Sequence, residues 1–372
     1  MEKVLIVGVG DVGGHILEFL SRGDYPLQVF VGDVNEERAR LTCNNAVIGA
    51  AHHGKHPDFR PMKIDLFDIE GTTEIIRKLQ PSAIINCTVM HTWHLIKQLP
   101  EDIYTRISSA ALGAWLPCQL TLAMNLARAI KASEAKTHYI NTSLSCLTNP
   151  VLGKIGLAPT IGIGNVDLIA PAVTTYISQQ ENVPRQSVDL YLVCHHQHWV
   201  FPREAGYEPD APYWMKILID GQDVTSRFDT GKVMYDAVKL YPPGIDFTTV
   251  SASSTIKNLY ALVFDQNLRT HSPSPNGLPG GYPVRLSAKG AEVVLPPELS
   301  LEEAIRINEE AGVLDGIQEI KGDGTVVFAD YTYEIMKEML GFDCQSFTPD
   351  ESEARARELM ACYKVITDKY LK

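Results

Sequence analysis

Positive charge is what this 372-residue chain is short of: 33 Lys and Arg stand against 45 Asp and Glu, a formal net charge of −12. A protein whose main task is gripping a phosphate backbone concentrates positive charge, so nucleic acid is not an expected partner. The deficit does not exclude an anionic cofactor, because backbone N–H groups at a helix start hold phosphate without any basic side chain. No CxxC pair occurs among the seven cysteines, and their number is odd. That usage fits a reduced intracellular protein and excludes a disulfide framework. No apolar run approaches the ~20 residues of a membrane span. The chain runs from Met1 straight into a strand-like MEKVLIVGVG with no secretory leader pattern. A cytoplasmic globular protein without membrane partners is expected. There is no internal repeat and no low-complexity tail, and the length suits two domains.

What is present is a rhythm. Short apolar runs at 3–7, 28–31, 64–66, 82–86 and 138–141 alternate with helix-like segments at 14–21, 36–41, 73–79 and 120–132, with Asn35 a natural cap for the second. Strand, helix, strand in this order predicts a parallel sheet with helices on both faces. From about residue 151 the texture changes. Helices are expected at 169–180, 249–264, 301–310 and 351–370, strands at 188–193 and 214–219, and an ordered loop or lid at 272–283, SPSPNGLPGGYP.

Gly8-Val9-Gly10-Asp11-Val12-Gly13 is a GxGxxG placed directly after the first strand and opening a helix. The first glycine allows the tight turn, the second lets a pyrophosphate approach the backbone, and the third lets helix and strand pack closely. Asp33 follows at the end of the second strand, where an acid accepts hydrogen bonds from the ribose hydroxyls of NAD and repels a 2′-phosphate. The nearby Arg38 leaves NADP open. The fold class expected is therefore α/β: a Rossmann doubly wound parallel sheet over residues 1–150, followed by an α+β substrate domain over 151–372. Gly8, Gly10, Asp11, Val12, Gly13 and Asp33 are the candidate cofactor residues.

The order of later features resembles the lactate/malate dehydrogenase superfamily, which includes NAD-dependent glycosidases. Asn141-Thr142 stands at that family's Asn-Pro strand end, Gly156-Leu157 at its Gly-Leu-Pro turn, and Thr160–Asn165 (TIGIGN) at its V-I-G-x-G segment. The run VDLYLVCHHQHWV then lines up with the strand that presents the catalytic histidine, which places His196 there. Ser251–Ser254 resembles the helix that offers a hydroxyl to the nicotinamide, and residues 281–294 resemble the late substrate-side hairpin. Asp33 and DLFDIEG (65–71) are also similar to saccharopine-dehydrogenase-like NAD(P)-binding proteins. Two departures matter. Leu168 and Pro171 replace the family's Asp and Arg, so the bidentate clamp for a simple 2-hydroxy acid is missing. His196-Gln197-His198-Trp199 matches the His-x-x-Trp of the glycosidase branch, yet Gly164-Asn165 stands where that branch carries its metal-binding cysteine.

The resemblance implies an NAD(P)-dependent oxidoreductase that moves hydride between the nicotinamide and a hydroxyl- or amino-bearing small molecule. His196 would be general acid and base, Asn141 the polariser of the reacting oxygen, and Asp167, one place from the family's Asp, the partner of the histidine. Arg106, His198, Arg203 and Arg285 are candidate substrate contacts. Strand alternation would put His196 and His198 on one face and His195 on the other. A metal held by His196, His198 and a carboxylate is a lesser reading, and no residue is assigned as a metal ligand. A glycosidase using transient oxidation and a non-catalytic dinucleotide sensor are the alternatives. A homo-oligomer is the superfamily expectation.

Overall fold

The computed structural model describes residues 1–242 and 247–371, apart from the side chains of Trp93, Glu204 and Ala205. Its centre is a parallel sheet built from β1 (Glu2–Val7), β2 (Leu27–Asp33), β3 (Asp58–Lys63), β4 (Ala83–Asn86), β5 (His138–Asn141) and β6 (Ile161–Gly162), in the order β3-β2-β1-β4-β5-β6. This is the doubly wound order, with the switch point between β1 and β4. The residues Val4 to Val7 are buried on both faces, as continuous apolar runs in a covered parallel sheet must be. Between the strands run α1 (Asp11–Arg22), α2 (Glu36–Ala51), α3 (Ile69–Leu79), α4 (Glu101–Ser108), α5 (Leu116–Ser133) and α6 (Ser145–Lys154). Asn35 caps α2 by accepting the Arg38 N–H at 3.1 Å, and Asp68 caps α3 by accepting that of Gly71 at 2.9 Å. The third strand is not where the apolar pattern put it. It is DFRPMK, an edge strand that tolerates Pro61 and has little apolar content, while the buried Ile64 and Leu66 follow it.

The chain continues through α7 (Val166–Glu181), β7 (Val188–Val193), α8 (Gln197–Val200), β8 (Trp214–Ile219), β9 (Gln222–Asp223), α9 (Thr230–Val238), α10 (Thr248–Val263), β10 (Leu268–Pro273), β11 (Gly281–Ser287) and β12 (Gly290–Val293). It ends with α11 (Leu301–Gly312), β13 (Ile317–Ile320), β14 (Val326–Phe328), α12 (Asp330–Leu340), β15 (Ser346–Phe347) and α13 (Ser352–Tyr370). These strands make three small antiparallel sheets, β7-β8-β9, β10-β11-β12 and β13-β14-β15. Asp220 and Gly221 both have positive φ, as the tight turn between β8 and β9 requires. The Pro- and Gly-rich stretch 272–283 is not a lid. Pro273 pairs with Gly281 across β10 and β11, and Ser272, Ser274 and Pro275 are buried.

One apolar core lies between the sheet and α3, α5, α12 and α13; a second lies on the opposite face under α1, α2 and α10. A third joins α7, α9, β7 and β8. The residues after 314 therefore return to the half that carries the parallel sheet: Thr332 donates to the Ala110 carbonyl, and α13 lies on α5. Among the described residues no single helix is long and apolar enough to cross a membrane.

Candidate active site

Two glycines of the first turn are sterically obligatory. Gly8 has φ of +95°, and a Cβ there would stand 2.7 Å from the Cys87 carbonyl oxygen; a Cβ on Gly13 would stand 2.2 Å from that of Gly8. Gly10 is different, since a Cβ there meets nothing within 4 Å. It lies at the extended N-cap of α1, and no side chain caps that helix. The first N–H groups of α1, beginning at Asp11, Val12 and Gly13, thus present an anion-binding end with no competing cap. Asp33 is buried and accepts hydrogen bonds from Val9 N–H (3.1 Å), Asn35 N–H (2.9 Å) and the half-exposed Arg38 guanidinium (2.7 and 2.9 Å). All four lone-pair sites are in use. Only Arg38, on a mobile-length exposed side chain, can swing away and leave acceptors for ribose hydroxyls. This turn fits a dinucleotide: its open glycine, uncapped helix end and fixed carboxylate sit where pyrophosphate and ribose would lie.

Asn86 and Asn141 end adjacent strands in register, β4 beside β5. The Asn141 amide donates to Thr148 Oγ1 (2.8 Å) and Asn149 Oδ1 (2.8 Å) on α6, while its oxygen accepts from Asn86 Nδ2 (2.9 Å) and Ser143 N–H (3.2 Å). Ser143 extends the network to Gln119. Every polar atom of the Asn141 side chain has a protein partner, and the residue is fully buried. Expected as a substrate polariser, Asn141 is instead turned inward, because α6 supplies acceptors that the strand pattern could not reveal.

The histidines also depart from the strand reading. β7 ends at Val193, Cys194 bridges to Gly281, and the backbone then turns into α8 and the π-helical turn Phe201–Ala205. Two-residue alternation stops at that point. His195 and His196, expected on opposite faces, lie together with ring centroids 4.7 Å apart. His198 leaves them: its ring packs edge-on to Tyr213 at 5.3 Å and lines a cavity of about 20 Å³ with Glu208, Gly231 and Met234. Burial pushes His198 down to about 3.

Cys146 on α6 completes the cluster. One donor atom from each of Cys146, His195 and His196 lies within 4.8 Å of the others, and the Asn165 amide donates to Cys146 Sγ at 2.8 Å. His196 Nε2 stands 3.3 Å from Asp315 Oδ1, an oxygen that also accepts from Gln197 Nε2 at 2.5 Å. Cys146, His195, His196, Gln197 and Asp315 are at most 2% exposed. Even so, His195 Nδ1, both His196 ring nitrogens and Asp315 Oδ2 make no hydrogen bond of acceptable geometry. Burial pulls His195 well below its ordinary range. Burial acts the same way on His196, but the Asp315 carboxylate close by, aided by Cys146, outweighs it and carries the imidazole to about 10.

The carboxylate beside His196 is therefore Asp315 and not Asp167. Asp167, on the first turn of α7, faces α10, where it accepts from Ser254, Lys257 and Asn258 (3.1 Å). Lys257 also donates to Thr270 at 2.6 Å. Asp315 arrives from the turn after α11, 118 residues beyond Gln197, and no local pattern announces it. The arginines are dispersed. Arg106 pairs with Glu338 at 2.8 Å on the exposed α4–α12 surface. Arg203 stacks over Trp199 (4.7 Å) and Phe247 (5.3 Å), and Arg285 faces Arg269 and Glu292 on neighbouring strands. Neither they nor His198 join the buried cluster, and Cys146, His195 and Asp315 are the members that sequence reasoning missed.

No protein-family model matches this chain, and no curated protein sequence matches it. Solved structures do. Malate dehydrogenase from Plasmodium falciparum, in complex with NADH, is matched over 97% of this chain and 100% of its own, with a TM-score of 0.55 and 12% identity. Lactate dehydrogenase from Cryptosporidium parvum, complexed with lactic acid and NAD, is matched over 96% and 98%, at 0.54 and 14%. Lactate dehydrogenase from Eimeria maxima, with NADH and oxamate, is matched over 83% and 90%, at 0.56 and 15%. The chain has the fold of the lactate and malate dehydrogenases. At such identities the likeness is one of architecture, and chemistry has to be argued from the site.

Proposed function

We propose that this protein binds NAD across the Gly8–Gly13 turn and moves hydride between the nicotinamide and a hydroxyl- or amino-bearing small molecule. The observation that carries the reading is the buried cluster of His196, Asp315, His195 and Cys146. It lies beyond the carboxyl ends of β5 and β6, the side of a doubly wound sheet where ligands bind. Asp33 serves the adenosine ribose once Arg38 moves aside, and the α1 N-terminus serves the pyrophosphate. The nicotinamide then extends toward the β4–β5 ends, with His196 beside the reacting carbon and Asp315 holding its ring. When bound, NAD supplies the hydride acceptor; the protein supplies position, a water-poor pocket and the polar groups that meet the substrate heteroatom.

Pro171 and Leu168 lie in α7, and among the described residues no arginine joins the His196 cluster, which argues against a simple 2-hydroxy acid. The Asn86–Asn141 network holds the carboxyl ends of β4 and β5 in register. The test is substrate-dependent NADH formation at 340 nm over a panel of alcohols, amino compounds and sugars. The reading expects turnover on at least one class and its loss in His196→Ala with NADH binding retained. Full turnover in that variant would overturn it.

A further inference from the structure

We infer that Cys146, His195 and His196 hold a divalent cation of the zinc class. Three donors from two distant stretches of chain, α6 and the β7–α8 turn, converge so that one ligand atom of each lies within 4.8 Å of the others. Each residue is at least 98% buried, and His195 Nδ1 and both His196 nitrogens point at no acceptable hydrogen-bond partner. Buried polar atoms are rarely left so, and while other unpaired atoms such as Ser108 Oγ and Asn258 Oδ1 stand apart, these three ring nitrogens stand beside a thiol in one converging donor set. The neighbouring asparagine network, just as deeply buried, leaves Asn86 and Asn141 fully bonded.

The donor types choose the ion. One sulfur and two imidazoles suit zinc, cobalt or copper, whereas magnesium and calcium require oxygen-rich cages that are not found here. Asp315 lies 3.3 Å from His196 Nε2 and completes a carboxylate–histidine–metal arrangement in which the other ring nitrogen serves the ion. The Asn165 amide, donating to Cys146 Sγ at 2.8 Å, supports the sulfur. Three protein donors leave one coordination position open, the pattern of catalytic rather than structural zinc. The site rests on these donors alone. Its role, to receive the substrate's oxygen beside the nicotinamide with His196 acting as ligand, rests on the hydride-transfer reading.

The test is metal analysis of the full-length chain, purified without a histidine tag from zinc-supplemented medium and dialysed against buffer. About one cation per chain is expected in the native protein and in Cys362→Ser, whose thiol lies on α13, and less than a tenth of that in Cys146→Ser. Because Cys146→Ser can fail by misfolding, native protein is also loaded with cobalt. A thiolate-to-cobalt charge-transfer band is expected, and its absence overturns the proposal. Metal content unchanged in folded Cys146→Ser overturns it too, since the exposed His52, His53 and His56 would then be the binders. Native protein that binds no cation but carries an alkylatable Cys146 would instead make the cluster a thiol–imidazole pair. Stoichiometric cation without any NADH formation would leave the metal site standing and remove the hydride-transfer reading.

Discussion

Two buried polar clusters flank the carboxyl ends of β5 and β6, and both draw on α6. Thr148 and Asn149 of that helix close the network around Asn86 and Asn141, while Cys146 faces His195 and His196, the latter backed by Asp315. The first cluster is saturated: donors and acceptors are matched, and its distances fall in the ordinary range. The second keeps four polar atoms without partners. A buried group left unpaired costs about 1–3 kcal/mol, so a scaffold has no physical reason to gather several of them. The contrast separates a polar cluster that holds the fold together from one kept ready for something that binds.

The sharpest way to break this contrast is to exchange the roles of the two clusters. His196→Gln, which keeps a polar partner beside the buried Asp315, should lower kcat/KM by about 10³-fold, while NADH affinity by fluorescence titration is retained and the urea midpoint falls less than in Asn141→Ala. Asn141→Ala should do the reverse. It strands the Asn86, Thr148 and Asn149 groups and should lower unfolding free energy by about 3 kcal/mol in urea titration, with residual activity in proportion to folded protein. If Asn141→Ala is stable yet inactive, the network belongs to the chemistry and the contrast fails.

A third buried histidine sharpens it through pH. His271 is satisfied: its Nε2 accepts the Leu192 N–H at 3.2 Å, and burial, with Lys257 and Arg269 nearby, pushes it down to about 3. The unfolded chain binds that proton near pH 6.5 and the folded chain refuses it. Stability is therefore flat above about 6.5 and falls below it, by about 2 kcal/mol at pH 5 from this residue. His271→Gln should flatten that part of the urea-midpoint profile against pH; an unchanged slope would assign the loss to other groups. The smallest effect is expected at the cofactor turn. Gly10→Val adds bulk into open space, so folding should survive while NADH binding weakens about tenfold, about 1.4 kcal/mol. Gly13→Ala should instead damage the fold, because its Cβ lands on the Gly8 carbonyl.

The parallel-sheet half was readable because its information is local. The glycines, the Asn35 cap and the buried runs of β1, β2, β4 and β5 lie within a few residues of the features they specify. β3 escaped for a physical reason: an edge strand containing Pro61 has neither an apolar run nor clean alternation. His196 emerged from spacing, but its surroundings did not. The chain abandons strand geometry at Cys194, so counting by twos paired it with His198 instead of His195. Asp315 comes from a stretch after α11 that carried no motif, and only the return of the C-terminal elements onto α5 explains its place. Asp167 was misassigned by a single residue's proximity to a family position, when the residues that decide its partners, Ser254 and Lys257, lie on α10.

Where the nicotinamide goes decides whether His196 meets the substrate, and a crystal structure of the chain with NADH reports that directly. It should show the pyrophosphate on the α1 N-terminus, Arg38 displaced from Asp33, and the nicotinamide C4 facing His196 across a gap one small substrate wide. A nicotinamide ordered away from His196, or an Asp33 still held by Arg38 with no nucleotide at the glycine turn, would contradict the hydride-transfer reading.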